Sequence, residues 1–208
     1  MHFLTKNSSF PEVSKANEDG LLAIGYDLTV ERLIEAYKNG IFPWYEVGQP
    51  VLWWSPDPRF VLFPNKLRVS KSMKQILKNC DYIVTVNKDF RHVIEECAII
   101  KREGQSSTWI TDEMIESYCS LHDLGLAKSV EVWRKNKLVA GLYGVDLNGK
   151  VFCGESMFTK ESNASKVGLI TFVKNSNYNL IDCQVFTSHL ESLGAEEISR
   201  KNFIKLLK

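Results

Sequence analysis

Residues 129–158, SVEVWRKNKLVAGLYGVDLNGKVFCGESMF, decide the fold. The hydrophobic period changes here from that of helices to that of strands, and the run is interrupted twice, at KNK and at NGK. Strand-like runs joined by Asn and Gly turn residues predict a three-stranded β-meander. Downstream, the pattern predicts a helix from Ala164 to about Asn175, a strand over LIDCQV, a helix across His189 to Leu193 and a terminal helix from Lys201.

Upstream the elements are shorter. In DLTVERLIEAYKNG, Thr29 is placed as N-cap, Glu31 lies near the positive helix end, and Gly40 stands just past the C-terminus. SKSMKQILKN predicts an amphipathic helix, YIVTVN a strand, and DFRHVIEECAII a helix burying Phe90, Val93, Ile94, Cys97 and Ala98. After the loop REGQSST, a further helix over about 112–124 runs from a Thr111 cap to Gly125. Between the first two helices lies KNGIFPWYEVGQPVLWWSPDPRF, with Trp44, Trp53 and Trp54 among prolines that exclude a long regular element. Side chains of the adjacent Trp53 and Trp54 should face opposite ways, so that at least one packs between domains. The whole order predicts an α+β fold: a small N-terminal α/β domain over residues 1–105, then a domain over 106–208 built on a mixed β-sheet.

Composition narrows the function. With 26 basic and 25 acidic residues among 208, the net charge is +1, so attraction to a polyanion has to come from a local patch. The densest basic cluster is Lys66, Arg68, Lys71, Lys74 and Lys78, which reads either as a solvated helix face or as a phosphate-holding surface. Five widely spaced cysteines read as buried thiols in a reducing cytosol and not as a disulfide framework or a zinc site. The four histidines are scattered, with no HxxxH or CxxC, so no metal or other cofactor is expected and each histidine reads as a surface or satisfied core residue. No GxSxG elbow and no GxxxxGK[ST] loop occurs, and neither a signal segment nor a membrane-length apolar run is present, so a cytoplasmic protein is expected.

Two strands carry unexpected polar groups. Alternation in LIDCQV puts Asp182 and Gln184 on one face and Ile181 and Cys183 on the other. Buried without partners, such groups would cost about 1–3 kcal/mol each, which either a structural hydrogen bond or a site would offset. Alternation in FCGESMF puts Glu155 and Met157 opposite Phe152, Gly154, Ser156 and Phe158, with Gly154 admitting a bulge. Glu155 reads as a salt bridge to a surface lysine or as an anchor for a cationic substrate group.

In chain order, GIFPW, LWWSPDPR, TWI, SVEVW, FCGESMF, NASK and IDCQ resemble the bacterial leucyl/phenylalanyl-tRNA–protein transferases, from about Gly20 to Phe203. That resemblance implies a catalytic domain similar to the GNAT acyltransferases. It also implies transfer of Leu or Phe, and less well Met, from aminoacyl-tRNA to proteins with N-terminal Arg or Lys, marking them under the N-end rule. Trp44 and Trp109 match the rings that sandwich the 3′-terminal adenosine; Leu142, Phe152, Met157, Leu169 and Ile181 match the aminoacyl pocket. Asp182 and Gln184 match the catalytic pair and Glu155 a residue near the acceptor; the pair is expected to orient the amine and either to accept or relay its proton or to leave that transfer to a ribose hydroxyl. Arg68, Lys71 and Lys74 are the expected tRNA phosphate contacts, Cys183 is expected to pack, and a monomer is expected. Tyr26 stands where the family commonly has glycine. Two other readings are a small-molecule acyltransferase using acyl-CoA, which lacks its Arg/Gln-x-x-Gly-x-Gly/Ala loop here, and a non-catalytic RNA-binding module, which leaves Asp182, Gln184 and Glu155 unexplained.

Overall fold

The computed structural model describes residues 2–100 and 109–208. The loop REGQSST and the expected boundary at 105/106 lie outside the described residues. Strands β1 (His2–Phe3) and β2 (Leu21–Ile24) lead to helix α1 (Val30–Lys38), then β3 (Phe42–Pro43) and β4 (Leu52–Trp54). Next come β5 (Arg59–Leu62), α2 (Lys71–Asn79), β6 (Ile83–Val86) and α3 (Phe90–Ile99). After α4 (Asp112–Asp123) the meander β7 (Ala127–Arg134), β8 (Lys137–Leu147) and β9 (Val151–Thr159) follows, then α5 (Ala164–Asn175), β10 (Leu180–Gln184), α6 (Ser188–Ser192), β11 (Glu196–Ile198) and α7 (Arg200–Leu206).

Local chemistry sets these boundaries where the sequence placed them. Thr29 Oγ1 accepts the Arg32 N–H at the start of α1, and Gly40 follows the helix at φ +73°, a conformation glycine adopts freely. Thr111 caps α4 by accepting from Met114 N. Lys135 and Asn136 take φ of 49° and 60°, the left-handed pair that a two-residue hairpin turn requires, and Asn148 and Gly149 repeat it at 56° and 68°.

Four strands form a small sheet in the order β1-β2-β4-β3, and seven form a large one in the order β11-β5-β10-β9-β8-β7-β6. The large sheet is mixed, because β9 and β10 run parallel through the α5 crossover while their other neighbours are antiparallel. The α+β architecture is therefore as expected. Both β5 and β6 precede residue 106, yet both belong to the large sheet, so the division between sheets falls in the short segment between Trp54 and Arg59. Its cause is the antiparallel pairing of β5 with β10, Val61 against Asp182, a long-range contact that no local pattern announces.

One face of the large sheet shares a core with α1, α3, α4 and the small sheet, through Leu33, Tyr37, Trp53, Val93, Tyr118, Tyr143 and Phe158. The other face packs under α5 and α2, through Met73, Leu142, Phe152, Val167, Leu169 and Ile181. Trp53 is fully buried in the first core, while Trp54, the next residue, is only partly buried, so the two do point opposite ways. Among the described residues no helix is long and apolar enough to cross a membrane.

Candidate active site

Strand β9 changes face in the middle. Its register with β8 pairs Gly144 with Gly154 and Tyr143 with Ser156, which leaves Glu155 as the extra residue of a β-bulge. Strict alternation had separated Phe152 from Met157; the bulge brings both to the Leu142 side, while Cys153 and Phe158 face the other core. Gly144 makes this fold possible, because a Cβ there would lie 2.6 Å from the Phe152 ring. Pairing of β9 with β10 stops at Cys153 against Asp182, and beside the separating strands lies a cavity of about 340 Å³. Leu142, Phe152, Met157, Leu169 and Ile181 all line it, together with Asp182, Gln184, Glu155 and Trp109.

At the polar end of the cavity, β10 finishes in a strained turn. Gln184 has φ +64° and the Val185 N–H donates to the Cys183 carbonyl at 2.7 Å, a γ-turn of the rare positive-φ kind. Such a conformation costs about 1–3 kcal/mol and persists only when its surroundings hold it. Here the Gln184 N–H donates to Asp182 Oδ1 at 3.0 Å, and its side-chain Nε2 donates to Glu155 Oε1 at 2.8 Å. Asp182 is in turn fixed by Arg59, whose Nε and Nη2 donate to its two oxygens at 2.8 and 2.6 Å. The Arg59 guanidinium, itself buried, lies over the rings of Phe42 and Phe203 and donates through Nη1 to the Gly40 carbonyl. Asp182 and Gln184 do stand together, but the Asp182 oxygens are already engaged, which makes this carboxylate the anchor of the turn.

Glu155 titrates near neutrality. Burial pushes it up to about 7, opposed by the Tyr37 and Tyr118 hydroxyls and assisted by the nearby Asp182 charge. Tyr118 donates to Glu155 Oε2 at 3.0 Å, and the Tyr37 and Tyr118 hydroxyls are 2.5 Å apart. The Cys183 thiol is driven far above the usual range by burial and by Asp182, consistent with packing instead of nucleophilic attack.

A second cavity of about 270 Å³ is lined by Trp44, Tyr45, Leu52, Trp54 and Trp109. Trp109 therefore belongs to both cavities. Trp44 is exposed and braced by Trp54, whose ring lies 5.9 Å away and whose Nε1 donates to the Trp44 carbonyl at 2.7 Å. The basic residues lie elsewhere: α2 packs through Met73, Ile76 and Leu77 beside the first cavity, leaving Arg68, Lys71 and Lys74 exposed. None of these three lines the cavity of Trp44 and Trp54.

Sequence reading missed four residues of this site. Tyr37 and Tyr118 carried no local signal, since each reads as one more buried position on the inner face of an amphipathic helix; Arg59 stood out only as a charge at the head of the apolar run RFVL. His189, expected to be satisfied or on the surface, lines the first cavity, its buried Nε2 finds no hydrogen-bond partner among the described residues, and burial together with Lys166 lowers its pKa. Among the described residues no group of three His, Cys, Asp or Glu could hold a metal ion.

Comparison with known proteins bears on this geometry. The family described as leucyl/phenylalanyl-tRNA protein transferase matches residues 61–208, and the N-terminal domain of that family matches residues 26–57. A leucyl/phenylalanyl-tRNA–protein transferase of Flavobacterium johnsoniae is 59% identical over 100% of this chain and 99% of its own. The corresponding proteins of Christiangramia forsetii and Pseudomonas putida are 57% and 52% identical, over 100% and 99% of this chain and 100% and 92% of theirs. Among solved structures, a GCN5-related N-acetyltransferase-like protein from Streptococcus suis aligns at a TM-score of 0.38 and 14% identity over 81% of this chain and 64% of its own, a likeness too weak to add to the assignment. On the strength of its sequence relatives, the chain belongs to the leucyl/phenylalanyl-tRNA–protein transferase family, and it is a transferase.

Proposed function

We propose that this protein transfers leucyl or phenylalanyl groups, and methionyl groups less well, from aminoacyl-tRNA to the α-amine of proteins beginning with Arg or Lys, creating an N-end-rule degradation signal. It does so as a cytoplasmic monomer without a cofactor. The observation that carries this reading is the position of Trp109, which walls both cavities. A 3′-terminal adenosine stacked between Trp44 and Trp109 would lead its aminoacyl ester straight into the pocket of Leu142, Phe152, Met157, Leu169 and Ile181. Apolar walls discriminate a methylene by only about 1–3 kcal/mol, so leakage to Met follows. Arg68, Lys71 and Lys74 would hold tRNA phosphates.

The chemistry is aminolysis of an ester. A free α-amine has a pKa of about 7.7–8.0. Glu155, at about 7, is close enough to exchange a proton with it near neutrality. The amine nitrogen attacks the ester carbonyl carbon as Glu155 takes one of its protons; the tetrahedral intermediate then expels the ribose oxygen, which takes that proton back from Glu155. One C–N bond forms, one C–O bond breaks, and the carboxylate is restored. Gln184 orients the amine through its side-chain oxygen, and Asp182 holds Gln184 in place. The edge of β9 beyond Cys153, which β10 does not pair, offers backbone donors to the oxyanion. Ionised Glu155 also favours an acceptor with a cationic first side chain. Alignment of two bound reactants is worth about 7–11 kcal/mol, so no covalent enzyme intermediate is needed.

The test is incubation with radiolabelled Leu-tRNA and a peptide beginning with Arg, with and without ribonuclease pretreatment of the tRNA. Transfer that disappears with ribonuclease supports the reading; transfer that survives it, or that requires acyl-CoA, overturns it.

A further inference from the structure

Two tyrosine hydroxyls stand in the middle of an apolar core, and their hydrogen bonds lead to Glu155. Tyr37 comes from α1 and Tyr118 from α4, and both are buried to 1% exposure or less. Since Tyr118 donates its one proton to Glu155 Oε2, the bond between the hydroxyls has Tyr37 as donor, and the chain runs Tyr37 to Tyr118 to Glu155. Phenylalanine would fill the same volume without placing polar atoms in this core, so the hydroxyls carry a burden that packing alone does not require. Burial and Glu155 hold both phenols well above their usual range, so they serve as fixed donors and not as acids.

We propose that Tyr118 and Tyr37 are positioning residues, a hydroxyl pair that keeps the Glu155 carboxylate ionised and aimed at the acceptor amine. This rests on the aminoacyl-transfer reading. Donation to both oxygens, from Tyr118 to Oε2 and from Gln184 to Oε1, favours the charged form, while each oxygen keeps a lone pair for the incoming proton. The other ionisable groups around Glu155 are Arg59 from β5, Tyr143 from β8, Asp182 from β10 and Cys153 from its own strand. Of these, Arg59 favours the ionised carboxylate and Asp182 opposes it. Helix α1 is tied to both carboxylates: Tyr37 reaches Glu155 through Tyr118, and the Gly40 carbonyl just beyond α1 receives Arg59, which clamps Asp182. Trp44, the proposed nucleotide platform, follows Gly40 by four residues.

The experiment compares the full-length wild type with Tyr118→Phe, Tyr37→Phe and Glu155→Gln. The first measurement is kcat/KM for transfer from Leu-tRNA to an Arg-initiated peptide across the neutral pH range. Removing a donor from the carboxylate raises its pKa, so the acid limb of Tyr118→Phe should move to higher pH, with a loss of about tenfold below neutrality that is mostly regained in alkaline buffer. Tyr37→Phe should move the limb in the same direction by less. The second measurement, thermal stability against pH, needs no substrate: the fall in stability linked to Glu155 should extend to higher pH in Tyr118→Phe and vanish in Glu155→Gln. A uniform loss of transfer at every pH, or stability profiles of both Phe variants that parallel the wild type, would overturn the proposal. Absence of transfer in the wild type would instead sink the functional reading, leaving the stability profile to decide the role of the tyrosines.

Discussion

Arg59 and Asp182 lie 123 residues apart in the chain and form one fully buried ion pair, with two hydrogen bonds of 2.8 and 2.6 Å. The pair joins the segment after the small sheet to the end of β10, and Asp182 then holds the strained turn at Gln184. Removing either partner leaves a buried charge uncompensated, a loss of about 3–5 kcal/mol. Asp182→Ala should therefore lower the urea midpoint sharply and abolish transfer together. An Arg59→Met/Asp182→Leu double variant should recover much of the stability but little of the transfer, because the Gln184 N–H has lost its acceptor. Recovery of transfer in the double variant would show that Asp182 does not act through Gln184.

Glu155 makes a stability prediction with a definite sign. Its carboxyl titrates at about 7 when folded, against an ordinary value of 4.5, so between those values the folded state holds the proton more tightly than the unfolded one. Stability is present at the acid end of this window and is lost as pH rises to about 7, by at most about 3 kcal/mol and less where cavity water solvates the group. Glu155→Gln should accordingly melt higher than the wild type at pH 8 while losing transfer. Differential scanning calorimetry at several pH values checks this; a lower melting temperature at pH 8 would contradict it.

The three clustered tryptophans should separate on substitution. Trp44→Ala should leave the fold intact and weaken use of aminoacyl-tRNA by about 1–3 kcal/mol, the worth of one stacked base. Trp53→Ala should cost about 3–5 kcal/mol of stability because its ring is fully buried. Saturation kinetics and chemical denaturation on the same preparations distinguish the two; unchanged saturation in Trp44→Ala would assign that ring to packing.

Lys71 and Lys74 sit exposed on α2 with no ion pair among the described residues. If they hold phosphates, reversing both to Glu should reduce the slope of log K against log salt by about 1–2, at roughly 0.7–0.9 per phosphate contact. An unchanged slope in filter-binding titrations would make them a solvated face.

How much of this was legible beforehand depends on the range of the interaction concerned. The capped helix α1, the meander and the crossover α5 follow from neighbours within a few residues, and Thr29, Gly40 and Asn148 announced them. The small sheet is hidden because its strands are two to four residues long, too short for a period to emerge. Strand β5 is hidden because its partner is β10. Site residues follow the same division. The five residues that motif resemblance named, Leu142, Phe152, Met157, Leu169 and Ile181, line one cavity, although alternation alone puts two of them on opposite faces, since a one-residue bulge inverts a strand without altering its composition. Arg59, Tyr37 and Tyr118 act across the core, where spacing along the chain says nothing. Tyr26, at the position where the resemblance leads one to expect glycine, adopts φ 60°, a backbone shape that glycine takes freely.

The most direct test of the central claim is the mass of the acceptor product. With purified protein, Leu-tRNA and a peptide beginning with Arg, tandem mass spectrometry should find the peptide one leucyl residue heavier, with fragment ions placing that residue on the α-amine, and the product should be absent for an N-acetylated peptide. A peptide left unmodified, or one acylated on a side chain and equally so after N-acetylation, would contradict the account.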